Sequence, residues 1–176
     1  MRAHRFITLS ASLVLLVAGA ACETRAQTTT VIVARHAEKA DVDDRDPPLS
    51  AAGAARAEAL ADALADAGVT AIYATPYRRT RDTAAPLARR LGLDVRETPV
   101  RDGVEAHAHE VARRAVAENP GGVALVIGHS NTVPAIVGAL TGTTVDDLAD
   151  DAYGDLFIVQ LPAEGRPRLI RARFGG

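Results

Sequence analysis

The sequence predicts a three-layer α/β/α sandwich with a mostly parallel central sheet. Short runs of β-branched apolar residues alternate with longer alanine-rich helix patterns, and this order is typical of parallel sheets covered on both faces. The clearest runs, Val31 to Ala34 and Val123 to Ile127, are apolar throughout, as strands buried on both faces are. Roughly 150 of the 176 residues remain once an N-terminal targeting segment is set aside, which is the usual size of one domain.

Periodicity and turn residues set the expected bounds of each element. Ser50 is the expected N-cap of the first helix, Gly68 and Gly92 end the first two helices, and residues 119–122, Asn-Pro-Gly-Gly, form a turn. The expected elements are strand 31–34, helix 50–67, strand 70–74, helix 78–90, strand 93–97, helix 104–118, strand 123–127, helix 131–140, and a hairpin of strands 155–161 and 168–173 at the sheet edge.

Composition excludes several classes of protein. The chain is 48% hydrophobic and 24% charged with a formal net charge of −2, which describes a folded core inside a surface of mixed charge. Lys39 is the only lysine, acidic residues balance the arginines, and no basic run marks a nucleic-acid partner. Any phosphate chemistry must therefore use a few local arginines.

Residues 1–26 have the pattern of an export signal with a short linker, and residues 27–176 form the expected mature domain. Arg2 and Arg5 precede an apolar stretch that is shorter than the ~20 residues of a membrane span. The segment before Cys22 resembles a bacterial lipoprotein box, while cleavage after Ala26 is the alternative. We therefore expect an extracytoplasmic protein, periplasmic or secreted, with membrane attachment through lipidated Cys22 if the first site is used.

Three charged segments follow strands of the predicted sheet. Arg35-His36 follows the first strand, Tyr77-Arg78-Arg79-Thr80 the second and Gly128-His129-Ser130 the fourth. Ligands of parallel sheets bind beyond the carboxyl ends of the strands. The planar fork of arginine suits a phosphoryl group, and a neutral imidazole is able to attack phosphorus and form a phosphoramidate. The residues thus indicate phosphoryl chemistry that needs neither metal nor cofactor, because arginines neutralise the charge.

Four segments, in this order, resemble motifs of the histidine phosphatase superfamily, the phosphoglycerate mutase-like proteins. Residues 31–37 resemble the family's strand and Arg-His-Gly motif, with alanine in place of glycine. Residues 49–57 resemble its Leu-Ser-x-x-Gly-x-x-Gln/Arg-Ala helix start, and residues 72–84 its Ser-Ser-Pro-Leu-x-Arg-Ala-x-x-Thr-Ala segment. Residues 126–130 match its second histidine motif.

The resemblance implies the fold of phosphoglycerate mutase and a phosphatase that works through a phosphohistidine intermediate. Carried over by position, His36 is the nucleophile, Arg35 and Arg79 bind the phosphoryl oxygens, and His129 donates a hydrogen bond to the transition state. The expected substrates are phosphoesters or phosphoramidates, presented by a small phosphorylated molecule or a phosphoprotein.

The proton donor of the family has no clear counterpart in this chain. Glu105 lies at about the right distance along the sequence from Arg79, with Asp102 as the alternative. A third interpretation is that no such acid exists, which is tolerable when the leaving group is good. The substrate and the oligomeric state stay open.

Two other functions compete with this interpretation. One is a module that binds phosphorylated ligands without turnover. Such a module would usually lack one of the two histidines, whereas this chain has both His36 and His129. The other is a serine esterase using Ser130, but the expected elbow needs a small residue where Thr132 stands, and no histidine follows His129. A metal site at His107 and His109 is disfavoured because residues two apart on a helix point about 200° away from each other.

Overall fold

A computed structural model describes residues 27–175, and this range holds six strands and four helices. In chain order they are β1 Thr29–Arg35, α1 Ala51–Ala63, β2 Val69–Ala74, α2 Arg78–Leu91, β3 Val95–Glu97, α3 Val104–Ala117, β4 Val123–Gly128, α4 Thr132–Thr141, β5 Asp155–Leu161 and β6 Arg168–Arg173. Every element expected from the sequence is present in the expected order.

The strands form one mixed sheet in the order β3-β2-β4-β1-β5-β6. The first four strands along the chain run parallel to one another, and β1 and β4 are neighbours in the middle of the sheet. The hairpin of β5 and β6 adds two antiparallel strands beside β1. The predicted fold class, a mostly parallel sheet with an edge hairpin, is therefore confirmed.

Two apolar cores lie on opposite faces of this sheet. Side chains alternate along β1, so that Val31 and Val33 pack with α3 and α4, while Ile32 and Ala34 pack with α1 and α2. All four are almost completely buried. This is the three-layer arrangement that the continuous apolar strands predict, and it leaves the strand ends as the polar edge of the sheet.

The first helix ends earlier than its alanine content indicates. Ser50 caps α1 as expected, its hydroxyl accepting a hydrogen bond of 3.0 Å from the amide of Gly53. The helix ends at Ala63, and residues 64–68 continue as turns until Gly68, which has a φ of 69°. Helix propensity alone does not place this end, because the backbone must turn before Gly68 to enter β2.

In the described part of the chain, no helix has both the length and the apolar character needed to cross a membrane. The predicted export signal, Cys22 and the two cleavage positions lie outside residues 27–175. They stay predictions from the sequence.

Candidate active site

The residues expected to carry chemistry meet beyond the carboxyl ends of β1, β2 and β4. Arg35 and His36 follow β1, His129 follows β4, and Arg79 lies in the first turn of α2. All four line one open cavity of about 810 Å³. The structure thus brings together four of the five residues that sequence reasoning assigned to the site.

His36 is held so that one ring nitrogen stays available for reaction. Its Nδ1 lies 2.7 Å from the carbonyl oxygen of Ala37, and because a carbonyl only accepts, Nδ1 must carry the proton. In the neutral ring, Nε2 then has a free lone pair. The His36 amide also donates a 2.9 Å hydrogen bond to the carbonyl of Gly128, which extends the β1–β4 ladder by one step.

The surroundings of His36 keep its imidazole neutral. Burial lowers its pKa from 6.5 to about 4, and the positive charges of Arg79, Arg35 and Lys39 act in the same direction. The hydrogen bond to Ala37 opposes these effects. At neutral pH the ring is therefore a nucleophile rather than a cation.

His129 faces His36 across the cavity, with 5.3 Å between the ring centroids and an edge-on orientation. Its Nε2 is 3.0 Å from Oγ1 of Thr75, and its Nδ1 is 3.4 Å from Nη2 of Arg79. Burial, the neighbouring His36 and the charge of Arg79 lower the pKa of His129 to about 3. Both rings are thus neutral and close together.

Arg35 is almost completely buried and is fixed by the segment that precedes β5. Its Nη1 donates to the carbonyl oxygens of Ala149 at 2.8 Å and Asp150 at 3.1 Å. Its guanidinium lies over the ring of Tyr153, 4.2 Å from the centroid. Its Nε is closed off from solvent and has no hydrogen-bond partner among the contacts of residues 27–175.

Arg79 is held in a similar way from the other side. Its guanidinium lies over the ring of Tyr77 at 4.4 Å and forms an ion pair of 3.6 Å with Asp46. The same carboxylate accepts hydrogen bonds from the amide of Arg78, which ties the loop 41–48 to the start of α2. Each phosphate-binding candidate is therefore stacked on a tyrosine, which restricts the orientation of its fork.

A buried hydroxyl connects the loop that follows His36 to α2. The amide of Ala37 donates a 2.9 Å hydrogen bond to Oγ1 of Thr83, whose own hydroxyl donates to the carbonyl of Arg79 at 2.7 Å. On the far side of the loop, Glu38 accepts two hydrogen bonds from Arg56. Glu38 thus has a structural partner, while the neighbouring Lys39 lines the cavity.

The structure does not bring Glu105 to the cavity of His36, which corrects the expectation from the sequence. Val104 is the first residue of α3 and lines that cavity, whereas Glu105, about 100° further round the helix, lines a separate cavity of about 380 Å³. Asp102, the alternative donor, is exposed in the preceding loop with a φ of 55°. The carboxylates that line the main cavity belong to Asp44 and Asp150.

The sequence-based reasoning missed Tyr77, Tyr153, Thr75 and Asp46. The chain has only three tyrosines, and this rarity is the signal in the sequence that could have drawn attention to them. Two of the three, Tyr77 and Tyr153, line this cavity. Asp46 lies in a polar loop with several other acidic residues, and nothing in its pattern distinguishes it.

The structure gives less support to a role in the site for Ser130, Arg81 or the pair His107 and His109. Ser130 lines the cavity, but within residues 27–175 its hydroxyl forms no hydrogen bond to either histidine. Arg81 is about half exposed and pairs with Glu97 away from the cavity. His107 is buried while His109 is exposed, and the described residues contain no group of three or more metal-ligating side chains.

Residues 31–100 match the family model described as histidine phosphatase superfamily (branch 1). The matched range contains the Arg35-His36 pair and Arg79, two of the three segments that form the cavity. Over this part of the chain the sequence is similar to the histidine phosphatase superfamily.

Two curated relatives of this chain come from Mycobacterium tuberculosis. These relatives, the uncharacterized proteins Rv0525 and MT0547 of two strains of this organism, are each 53% identical over 51 residues. Each match covers 29% of this chain and spans a quarter of the relative's own length.

Solved structures of histidine phosphatases extend the likeness over most of the chain. Mycobacterial glucosyl-3-phosphoglycerate phosphatase Rv2419c is 18% identical with a TM-score of 0.64, covering 81% of this chain and 97% of its own. A structure titled mycobacterial hydrolase 2 is 18% identical with a TM-score of 0.67, covering 85% and 93%. The protein histidine phosphatase SixA in complex with tungstate is 20% identical with a TM-score of 0.63, covering 82% and 96%. These likenesses show that the fold is that of the phosphoglycerate mutase-like phosphatases.

Proposed function

We propose that this protein is a phosphatase that hydrolyses phosphate monoesters or phosphoramidates through a phosphohistidine on His36. The observation that carries the proposal is the state of the His36 ring. Its Nδ1–H is bound to the carbonyl of Ala37, its pKa is lowered to about 4, and its Nε2 is unprotonated in a ring that lines the same cavity as Arg35 and Arg79. A neutral imidazole in that setting is a nucleophile for phosphorus.

Two arginines supply the binding of the phosphoryl oxygens. The guanidinium of Arg35 supplies a charge at the wall of the cavity, and Arg79 offers the nitrogens that now lie near Asp46 and His129. Charge-assisted hydrogen bonds of this kind are strongest where water is excluded. Arg35 is only 7% exposed, so its contribution is little screened by solvent.

The reaction proceeds in two displacements. In the first, Nε2 of His36 attacks phosphorus, the N–P bond forms, and the bond from phosphorus to the leaving oxygen or nitrogen breaks with its electron pair. The imidazolium that forms is stabilised because its Nδ1–H stays bound to Ala37. In the second, water attacks phosphorus, the N–P bond breaks, inorganic phosphate leaves, and His36 returns to its neutral form.

The substrate class is broader than any one relative's name. Rv2419c is named for a phosphorylated sugar acid and SixA for phosphohistidine in proteins, and both kinds of substrate present a terminal phosphoryl group. The cavity of about 810 Å³ is open and much larger than a phosphate ion. We therefore propose a small phosphorylated molecule or a phosphoprotein as the substrate.

The two rival functions are less consistent with this geometry. A module that only binds phosphate has no use for an imidazole kept neutral beside the arginines. A serine esterase requires a base bonded to Ser130, whereas the nitrogens of His129 contact Thr75 and Arg79.

Trapping the intermediate tests the proposed function. The protein is mixed with a labelled phosphomonoester, quenched in alkali and mapped by peptide mass spectrometry. We expect label on His36, because a phosphoramidate is base-stable and acid-labile. His36→Asn should abolish turnover but still bind inorganic phosphate through Arg35 and Arg79. Label on Ser130, or unchanged turnover by His36→Asn, would refute the mechanism.

We also propose that the mature protein acts outside the cytoplasm, a proposal that rests on the sequence of residues 1–26. Arg2, Arg5 and the apolar stretch support export, and the residues before Cys22 support lipidation. Mass spectrometry of the native N-terminus tests both. An acylated Cys22 supports anchoring, a start at Gln27 supports export without an anchor, and an intact Met1 on a cytoplasmic protein contradicts both.

A further inference from the structure

A chain of hydrogen bonds leads from His129 into the protein interior. Nε2 of His129 is 3.0 Å from Oγ1 of Thr75, and Oγ1 of Thr75 is 2.9 Å from Oγ1 of Thr80. Oγ1 of Thr80 in turn lies 2.9 Å from the carbonyl oxygen of Thr75 and 2.8 Å from that of Tyr77. Thr75 and Thr80 are 1% and 0% exposed, so water does not compete for these hydroxyls.

The carbonyl oxygens of Thr75 and Tyr77, at the inner end of this series of hydrogen bonds, determine which atom donates in each of them. A carbonyl oxygen only accepts, so the single hydroxyl proton of Thr80 points to a carbonyl. Oγ1 of Thr80 is then free only to accept, and the Thr75 hydroxyl donates to it. Having used its one proton, Thr75 in turn only accepts from His129. The proton between Thr75 and His129 therefore belongs to Nε2.

The other side of the ring agrees with this assignment. Nδ1 of His129 lies 3.4 Å from Nη2 of Arg79, and a guanidinium nitrogen only donates. A neutral ring with its proton on Nε2 satisfies both contacts, whereas the tautomer with its proton on Nδ1 places two donors against each other. Two independent contacts on opposite sides of the ring thus select the same tautomer.

We propose that Thr75 is a positioning residue, directed by Thr80, that keeps the proton of neutral His129 on Nε2 and so turns Nδ1 toward the bound phosphoryl group. This inference rests on the proposed function only in placing a phosphoryl group in the cavity.

This arrangement determines how His129 meets a phosphate dianion. An unprotonated Nδ1 repels phosphoryl oxygens, so Nδ1 takes a proton from solvent when the dianion binds and then donates a hydrogen bond to it. Nε2 keeps its own proton, which stays bound to Thr75, and the imidazolium is satisfied at both ends. The groups that act on the pKa of His129 are His36 and Arg35 after β1, Arg79 on α2 and His107 on α3, all positive or neutral, and the ring of Tyr77 packs edge-on against it at 5.4 Å. The acidic residues of the site are Asp46, which pairs with Arg79, and Asp44 and Asp150, which line the cavity. None of these three is among the charges that act on the ring, so the bound dianion supplies the charge that favours uptake.

Nitrogen NMR of the whole protein tests the tautomer directly. Spectra of the protein labelled on its histidine nitrogens, assigned with a His129→Gln variant, distinguish protonated from unprotonated Nδ1. We expect unprotonated Nδ1 in the free protein and in Thr75→Ser, which keeps the hydroxyl. In Thr75→Val the Nδ1–H form should appear, because Nε2 has lost its acceptor. A wild-type ring with its proton on Nδ1 would overturn the proposal.

Activity supplies a second readout with a matched control. Thr75→Val should lower kcat between about tenfold and a hundredfold, the range for a hydrogen bond to a charged group, with a smaller change in KM. The kcat of Thr80→Ala should lie between the kcat values of Thr75→Val and the wild type. Thr75→Ser should keep most of the wild-type kcat. Thr98→Val removes an equally buried hydroxyl that donates to the carbonyl of Ala74 and does not touch His129. Equal losses in Thr98→Val and Thr75→Val would mean a purely structural role and overturn the proposal.

Phosphate binding separates this inference from the proposed function. Titration calorimetry with inorganic phosphate, in two buffers of different ionisation enthalpy, counts the protons taken up at a pH above the second pKa of phosphate. We expect net uptake by the wild type and less by Thr75→Val. A wild type that takes up a proton with phosphate but hydrolyses no phosphoester would support the hydrogen-bond chain and refute the phosphatase. A wild type that hydrolyses phosphoesters but takes up no proton with phosphate would support the phosphatase and refute the role of the hydrogen-bond chain.

Discussion

Replacing Gly53 with alanine should destabilise the protein, although alanine normally favours a helix. Gly53 lies in the first turn of α1, against the loop that follows His36. A Cβ at this position would overlap the carbonyl oxygen of Glu38 and lie 3.0 Å from the carbonyl carbon and the nitrogen of the same residue. Backbone atoms cannot rotate away, so the loop and the helix must separate.

The magnitude follows from opposing effects. Alanine gains about 1 kcal/mol over glycine in a helix, whereas forcing a methyl group into a packed contact costs about 1–3 kcal/mol. Separation also stretches the 2.9 Å hydrogen bond from the amide of Ser50 to the carbonyl of Glu38, worth about 1 kcal/mol. We expect Gly53→Ala to lower the free energy of unfolding by about 1–3 kcal/mol, because the gain in helix propensity and the lost hydrogen bond cancel and the overpacking remains. We also expect a lower kcat, because Glu38 is two residues from His36.

Urea denaturation followed by circular dichroism measures this change, and α4 offers a matched control. A Cβ on Gly138 would meet only the carbonyl oxygen of Thr143, at an ordinary contact distance of 3.5 Å. Gly138→Ala should therefore raise the free energy of unfolding by about 0.5–1 kcal/mol through helix propensity alone. A Gly53→Ala variant as stable as Gly138→Ala would refute the proposed contact with Glu38.

Two further predictions concern the cavity itself. Folded His36 and His129 have lowered pKa values of about 4 and about 3, so as pH falls through 6.5 the unfolded chain gains protons that the folded chain does not. The free energy of unfolding should therefore fall between pH 7 and pH 5, by about 2 kcal/mol for His36, as urea titrations at the two pH values would measure. Constant stability over that range would contradict neutral, buried histidines. Ser130→Ala should keep most of the kcat measured with a phosphomonoester, because within residues 27–175 the Ser130 hydroxyl forms no hydrogen bond to either histidine. A loss of a thousandfold would instead favour the serine hydrolase.

Most of the fold and of the candidate site follows from local sequence patterns. The unbroken apolar runs at β1 and β4 leave no polar face, so both strands must lie inside a sheet covered on both sides. Parallel strands inside one sheet end at the same edge, which brings His36 and His129 together without any knowledge of the loops.

The residues that were misplaced or missed depend on tertiary contacts. Glu105 matches the expected spacing along the chain, but one residue on a helix is a rotation of about 100°, so its side chain faces a different cavity from that of Val104. Tyr153 reaches Arg35 only because the segment before β5 folds back over the end of β1. Thr75 lies at the end of β2 with the pattern of a turn residue, and only the packing against His129 gives its hydroxyl a role.

The backbone hydrogen bond between His36 and Gly128 limits which parts of the site can vary between related enzymes. Because the two histidines end neighbouring strands of one ladder, their separation is set by the strand spacing of about 4.8 Å rather than by any loop. The loops 41–48 and 98–103 carry or flank much of the cavity wall. They lie outside the strands, so their length and sequence do not alter the spacing of the two histidines. Loop exchange between members of this fold should therefore alter which molecules are accepted while leaving the phosphoryl-transfer step intact. This makes the loops the natural place to insert, shorten or graft sequence in search of a new substrate.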